Sequence, residues 1–441
     1  MKRLLSLLLC AVLALFCATT AQAAGVSITL TASEYALHYA FDAGAQDPFV
    51  ILEYATPAEK GWMMLYSEDG HFEGDVSLAY SGAGGKTSVA LTSARTTGSI
   101  GKASTTLPKA VDYQKPTGKS NAKVTDFVLT ETPEGFHYAF NAIGTDYMLL
   151  YWRSKEQTVT QPVYPDKNGH YEGDVISDLT FARTQFTVQV KSGSGSMKKE
   201  ATVRKGYQAP EAPQRQEGRL SGVTVCIDAG HQENGRFVNE PIGPGLSGST
   251  SGKGGMAQGT KTNRRESIVC LEIGMLLRDE LLRQGANVVM TREDQTTFHT
   301  NIERCEIAEA GGAQIMLRLH CNNSSNRSKR GIQVYGPLNS DYAKAVADAD
   351  TYREMGQKLL DAMKTRVGMT LANSTGMVRL NDNYVGNNWA KMMCFLVEMG
   401  YLSNPAEEYL LVTPVYQQWL AEGMADGVYE IAVARGWVQA Q

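Results

Sequence analysis

The sequence predicts two tandem all-β sandwich repeats, immunoglobulin-like in outline, followed by an α/β domain with a largely parallel sheet flanked by helices. Two observations carry this. The first half of the chain repeats itself, and from Val223 onward short apolar strands alternate with helical periodicity. His38-Tyr39-Ala40-Phe41 recurs as His137-Tyr138-Ala139-Phe140, and Gly70-His71-Phe72-Glu73-Gly74-Asp75-Val76 recurs as Gly169-His170-Tyr171-Glu172-Gly173-Asp174-Val175, both 99 residues further on. Tyr113-Gln114-Lys115-Pro116 is echoed by Tyr207-Gln208-Ala209-Pro210.

Before the first repeat, Lys2 and Arg3 precede an apolar run from Leu4 to about Phe16, and small residues lead to Ala21-Gln22-Ala23. This is the pattern of a secretory leader, residues 1–23, cleaved after Ala23. Neither Cys10 after Leu9 nor Cys17 after Phe16 suits lipid attachment. No later apolar run reaches the roughly 20 residues a spanning helix needs. The mature protein is therefore expected to be exported, with no transmembrane segment. Its 42 basic and 46 acidic residues, a net charge of -4, give no footprint for nucleic acid. A hydrophobic fraction of 43% excludes a disordered chain.

The repeats are expected over 24–106 and 124–205, joined by linkers at 107–123 and 206–220 that are rich in Pro, Lys and Gln. Alternating stretches such as Phe127-Val128-Leu129-Thr130, punctuated by Gly, Asp-Gly and Asn-Gly, predict antiparallel strands. Their aromatics, Tyr35, Tyr39, Trp62 and Tyr138, suit either a sandwich core or sugar stacking. In the domain at 221–441, strands are expected at Val223 to Ile227, Ala286 to Met290, Gln314 to Leu319, Ile332 to Tyr335 and Met392 to Val397. Ile268, Leu271, Met275 and Leu282 mark one helix face that Gly285 ends. Further helices are expected near Ile302 to Ala310, over Tyr342 to Val367 and over Val415 to Ala434.

Seven cysteines fall to five after cleavage, Cys226, Cys270, Cys305, Cys321 and Cys394, an odd and scattered set that reads as buried free thiols. Four of the seven histidines (His38, His71, His137, His170) are duplicated with the repeats, which favours packing over a unique site. His231 follows the first α/β strand in Asp228-Ala229-Gly230-His231. His320 ends the third strand, Glu398 ends the late one, and Glu266 opens the first helix. In a parallel sheet these ends share one rim, where open α/β sheets bind ligands. Two imidazoles and a carboxylate with an open position make a hydrolytic zinc site, and a second carboxylate can serve as general base. Plainer readings stand beside this one. Asn263 with Glu266 fits a capping box, Asp228-Ala229-Gly230 a turn, His320 a core histidine and Glu398 a solvated strand end. His299 is a loop residue and the first rival ligand should Glu266 be only a cap.

Asp228-Ala229-Gly230-His231, the Glu266-led helix, Leu319-His320-Cys321-Asn322 and Leu396-Val397-Glu398-Met399-Gly400-Tyr401-Leu402-Ser403-Asn404 resemble, in order, the four motifs of the zinc-dependent N-acetylmuramoyl-L-alanine amidases, which cleave peptidoglycan. Val289-Met290-Thr291-Arg292 and the helix bearing Arg304 fall where that family has similar segments, so the resemblance runs from Val223 to about Trp437. It implies that His231, Glu266 and His320 hold Zn2+ and that Glu398 is the catalytic carboxylate. The bond cut would join N-acetylmuramic acid to L-alanine, in an enzyme associated with the cell wall, and the repeats would bind wall polymer. Gln232-Glu233-Asn234 stands where the family usually has glycines, and Cys321 where it often has alanine. The Gly- and Ser-rich stretch Pro241 to Gly259 reads as a lid or a substrate-binding edge. Three alternatives remain: a zinc peptidase cutting within the stem peptide, a catalytically silent wall-binding protein, and a thiol hydrolase built on Cys321.

Overall fold

The computed structural model describes residues 18–440 except 23–24, 34–35, 58–59, 79–83, 97, 110–121, 133–134, 144, 146–147, 154–157, 164, 177–183, 193–195, 206–208, 233–237, 251–254 and 368–377. The leader through residue 17, Tyr35, most of the first linker with its trailing echo, Tyr207 and Gln208 of the second echo, and Glu233-Asn234 lie outside the described residues.

The first repeat contains β1 (Ala18–Gln22), β2 (Ser27–Ala32), β3 (Ala36–Asp42), β4 (Phe49–Ala55), β5 (Lys60–Tyr66), β6 (His71–Ser77), β7 (Gly85–Ser93) and β8 (Ser99–Leu107). They form two antiparallel sheets, ordered β1-β2-β3-β6 and β5-β4-β7-β8. Cleavage after Ala23 would remove β1. The second repeat contains β9 (Lys123–Thr132), β10 (Gly135–Ile143), β11 (Met148–Arg153), β12 (Thr158–Val163), β13 (His170–Ile176), β14 (Thr184–Lys191) and β15 (Met197–Lys205). Its sheets, β13-β10-β9 and β12-β11-β14-β15, reproduce the order of the first without a counterpart of β1 among the described residues. Period-2 alternation sends Ile28, Leu30, Val50, Leu52, Val89 and Leu91 into one core, and Phe136, Phe140, Leu150, Trp152, Phe186 and Val188 into the other. The shared motif glycines are explained by close approach. A Cβ at Gly74 would stand 2.7 Å from the Tyr39 hydroxyl, and one at Gly173 2.7 Å from that of Tyr138.

The duplicated histidines do not pack inside. Leu37, Tyr39 and Phe41 take the core face of β3, so His38 is left on the outer face. There Asp42, His71, Glu73, His38 and Asp75 form a chain of imidazoles and carboxylates with contacts of 2.7, 3.7, 3.3 and 3.1 Å. The second repeat keeps it through Asn141, His170, Glu172, His137 and Asp174.

The C-terminal half holds β16 (Thr224–Ala229), β17 (Glu240–Pro241), β18 (Ser249–Thr250), α1 (Glu266–Arg283), β19 (Asn287–Met290), α2 (Asn301–Ala310), β20 (Ile315–Asn322), β21 (Gln333–Gly336), α3 (Asp341–Val346), α4 (Ala349–Val367), β22 (Val378–Leu380), α5 (Val385–Trp389), β23 (Met393–Tyr401), α6 (Glu407–Leu411) and α7 (Pro414–Ala434). Its sheet runs β19-β16-β20-β23-β21-β22 and is mixed, parallel throughout except between β21 and β23. α1, α4 and α7 cover one face through the main apolar core, while Cys226, Cys305, Met316 and Cys394 pack beneath α2 and α5 on the other. The single helix expected over Tyr342 to Val367 is broken. Ala347 is extended, and the Asp348 carboxylate accepts the Thr351 N–H at 2.7 Å, starting a new helix. Among the described residues no helix is long and apolar enough to cross a membrane.

Candidate active site

β16 delivers Asp228, Ala229 and Gly230 to the rim of the sheet, and the chain then turns sharply at His231, which takes φ +57°. Only glycine fits at 230. A Cβ there would lie 2.4 Å from the Leu319 carbonyl oxygen and 2.6 Å from His320 Cε1, while Gly230 N–H donates to that same carbonyl at 2.9 Å. The backbone of the first strand thus sits directly against the histidine that ends the third.

Glu266 begins α1 without serving as its cap. The N-cap is Arg265, with no side-chain cap bond, and Asn263 adopts φ +57°. The Glu266 carboxylate turns inward instead and is 3% exposed. Its Oε1 lies 3.2 Å from His231 Nε2 and 3.0 Å from His320 Nδ1, and it accepts the Cys321 N–H at 3.0 Å. Its Oε2 accepts the Ala257 N–H at 2.8 Å. One donor atom from each of His231, Glu266 and His320 falls within 4.8 Å of the others, the one such group among the described residues. Two imidazole nitrogens and one carboxylate oxygen suit a divalent cation, zinc above all. His320 Nε2 and Glu398 Oε2, both buried, have no hydrogen-bond partner among the described protein atoms.

Glu398 pairs in register with His320 across β20 and β23, so it stands beside the triad and outside it. Burial, followed by the negative charge of Glu266, raises its carboxyl to about 8. Burial would raise Glu266 too, but hydrogen bonds to His231 and His320 hold it below the ordinary carboxylate range. A carboxylate kept ionised as a ligand and another ready to exchange a proton are what hydrolysis by a metal-activated water needs.

Beneath the rim, Asp228 is fully buried and accepts Thr291 Oγ1 at 2.7 Å, Arg318 Nε at 2.9 Å and Arg304 Nη1. Arg304 also donates to the His231 carbonyl at 3.2 Å, and Arg292 holds the carbonyls of Ala229 and Gly230 at 2.7 and 2.9 Å. These arginines fix the backbone that carries His231. Sequence reasoning noted Arg292 and Arg304 only by position and missed Arg318. The available signal was a charged residue inside the apolar run Ile315 to Leu319, which requires a buried partner.

A cavity of about 800 Å3 opens over the triad, lined by Gln232, Val238, Glu240, Asn301, Asn322 and Tyr384 among others. In the Gly- and Ser-rich stretch, Thr250 and Gly255 to Ala257 line one wall, and the first residues, Pro241 to Pro244, are pinned. Trp389 Nε1 donates to the Pro241 carbonyl at 2.9 Å, Asn388 Nδ2 to that of Ile242 at 3.1 Å, and Asp341 N–H to that of Pro244 at 3.0 Å. His299 borders the cavity but contributes its carbonyl to Gln232 and Arg304, and it does not join the triad. Cys321 is 2% exposed, and burial raises its thiol well above the ordinary range, which removes the thiolate a thiol hydrolase needs.

Residues 225–430 match the family model described as N-acetylmuramoyl-L-alanine amidase. The match lies wholly within the C-terminal half of the chain. It is 26% identical over 231 residues to the germination-specific N-acetylmuramoyl-L-alanine amidase of Bacillus subtilis strain 168, covering 49% of this chain and 83% of that protein. It is 27% identical over 218 residues to the probable cell wall amidase LytH of Staphylococcus aureus, covering 48% of this chain and 60% of that protein. A solved N-acetylmuramoyl-L-alanine amidase from Clostridium difficile 630 aligns with TM-score 0.38 and 24% identity, over 48% of this chain and 96% of that one. The cavity described above lies in the matched segment, and the two repeats lie outside it.

Proposed function

We propose that the chain is an exported, zinc-dependent hydrolase that cuts the amide bond between N-acetylmuramic acid and L-alanine in peptidoglycan, with immunoglobulin-like modules at 24–106 and 124–205 ahead of a catalytic domain at 221–441. The supporting observation is the closure of His231, Glu266 and His320 to within 4.8 Å, beside a fourth, separately placed carboxylate. Zinc bound there would supply Lewis acidity to the scissile carbonyl and to the attacking water. Glu398 takes the proton from that water and passes it to the departing amine of L-alanine. Glu266, held by two backbone N–H groups, keeps both imidazoles oriented. Arg304 and Arg292 fix the turn that presents His231, so the ligand needs little reorganisation on binding.

Export belongs to the proposal because the wall lies outside the membrane, and Lys2 to Ala23 has the pattern of a cleaved leader. The test is mass spectrometry of products from purified peptidoglycan, with a chelator and then with zinc restored. Free stem peptides beginning with L-alanine are expected only when zinc is present. Shortened peptides still attached to muramic acid would make the protein a stem-peptide peptidase. Release that survives chelation would remove the zinc, and no product under any metal condition would leave a silent wall-binding protein.

A further inference from the structure

The two repeats share a fold but not a surface. In β4, Val50 and Leu52 face the core of the first repeat, while Phe49 and Ile51 point the other way and are buried against the amidase domain. Phe49 meets Tyr416 and Trp419 edge-on at 5.9 and 5.2 Å between ring centroids. Tyr66 meets Trp419 at 5.4 Å, and Trp62 lies 4.3 Å from Tyr409. Ile51, Ala406 and Tyr409 form one buried cluster with Met64 against it. The paired registers of β4 with β5 and of β11 with β12 put Leu149, Thr160 and Pro162 of the second repeat where the first has Ile51, Trp62 and Met64. Trp62 has no aromatic counterpart there.

The contact falls on a particular piece of the amidase domain. Arg330, 5% exposed, donates to the carbonyls of Ala94 and Arg95 in the turn after β7. It belongs to the loop that leaves β20 just past His320. That loop is tied to the segment following Glu398: Ser324 N–H donates to Ser403 Oγ at 2.9 Å, and Asn404 Nδ2 donates to the carbonyls of Arg327 and Lys329 at 3.0 and 3.2 Å. Buried Glu407 closes the tie, accepting Gly331 N–H at 2.7 Å through one oxygen and Tyr401 N–H at 2.8 Å through the other. Glu407 opens α6, the helix whose Tyr409 carries Trp62. The first repeat therefore grips both sides of the brace that joins the strand ends bearing His320 and Glu398.

We propose that the first repeat is a positioning part of the active site, acting through Arg330 and the brace. This rests on the amidase reading for its activity readout but not for its structural one. The experiment uses the full chain as wild type, Arg330→Ala, Arg330→Lys and Trp62→Ala, with a soluble disaccharide-peptide fragment as substrate and hydrogen exchange at Ser324 and Gly331. Arg330→Ala and Trp62→Ala are expected to lower kcat about tenfold with KM little changed, and to speed exchange at both amides. Arg330→Lys, which keeps a donor for one carbonyl, should recover part of both. Unchanged kcat and exchange in folded Trp62→Ala and Arg330→Ala would overturn the proposal. If Arg330→Ala fails to fold, Trp62→Ala at the interface rim decides. An inactive wild type would refute the amidase reading instead, and exchange alone would then decide whether the repeat orders the brace.

Discussion

Glu266 and Glu398 occupy one cavity and are pushed in opposite directions. Glu266 has imidazoles and N–H donors to hold its charge, whereas Glu398 has burial and a negative neighbour to oppose it. As the proposed base, Glu398 must be ionised, so kcat/KM should fall as pH drops through its raised value. The acid limb of the pH profile is expected above the carboxylate range of about 4. Bound zinc would offset the charge of Glu266 and draw that limb down from 8, and a limb at the ordinary carboxylate value would count against Glu398. Glu398→Gln should cost about 100- to 10,000-fold in kcat while the protein keeps its metal on dialysis; loss of metal would place Glu398 among the ligands. Asp228 shows the structural use of charge. Burial favours its neutral form, but Arg304 and Arg318 override burial and hold its pKa below the ordinary range. A depressed carboxyl stabilises the fold above its unfolded value, and that stability is lost only as pH falls towards its folded one. Asp228→Asn should therefore cost about 3–5 kcal/mol in urea unfolding, equally at pH 6 and pH 8, because it strands two buried guanidinium groups. His231, Glu266 and His320, which the fold brings together, were legible because metal chemistry restricts residue type. Arg318 was not, because its partner lies on another strand.

Most elements of the C-terminal domain follow from local pattern. α2 starts where Thr300 and Glu303 form a reciprocal capping box, with the Glu303 N–H donating to Thr300 Oγ1 at 3.2 Å. Glu240 adds a second anchor there, accepting the Ile302 N–H at 2.8 Å. Thr300→Ala should cost about 1 kcal/mol, read as a lowered Tm with kcat unchanged; a larger loss would mean that the cap also holds the cavity wall. Other elements were hidden. The capping box that was the plainer reading of Asn263 and Glu266 is absent because four contacts, with His231, His320 and the N–H groups of Cys321 and Ala257, claim the Glu266 carboxylate. β22, three residues long, carries too short a pattern to be read and exists because β21 offers it an edge. The break at Ala347 escaped because the apolar periodicity continues across it. The repeat histidines were misplaced because duplication reveals that a residue matters to the module, not which face of a strand it takes.

At the scale of the molecule, two copies of one β fold have come to lie in different surroundings. Replacing 124–205 by a flexible linker should leave hydrolysis of soluble fragments unchanged and weaken action on intact peptidoglycan by about 100-fold, since effective concentration at the wall is lost. Equal activity on both substrates would remove the tethering role. Deleting both repeats would in addition bare Tyr409, Tyr416 and Trp419, which the first now covers. Sequence by itself determined the duplication, the change of class at Val223, the order of the four motifs and the two histidines and one glutamate that the fold closes on one point. Each of these is written in local spacing or in residue chemistry, and a single chain displays both. Tertiary structure alone decided that Asp228 would answer two arginines, that the start of the Gly-rich stretch, Pro241 to Pro244, would be pinned, and that the first repeat would rest on the brace behind His320 and Glu398. Those outcomes depend on surfaces brought together from more than 60 residues apart, as with Asp228 and Arg304 or Ala94 and Arg330, and no local pattern encodes which surface will be met.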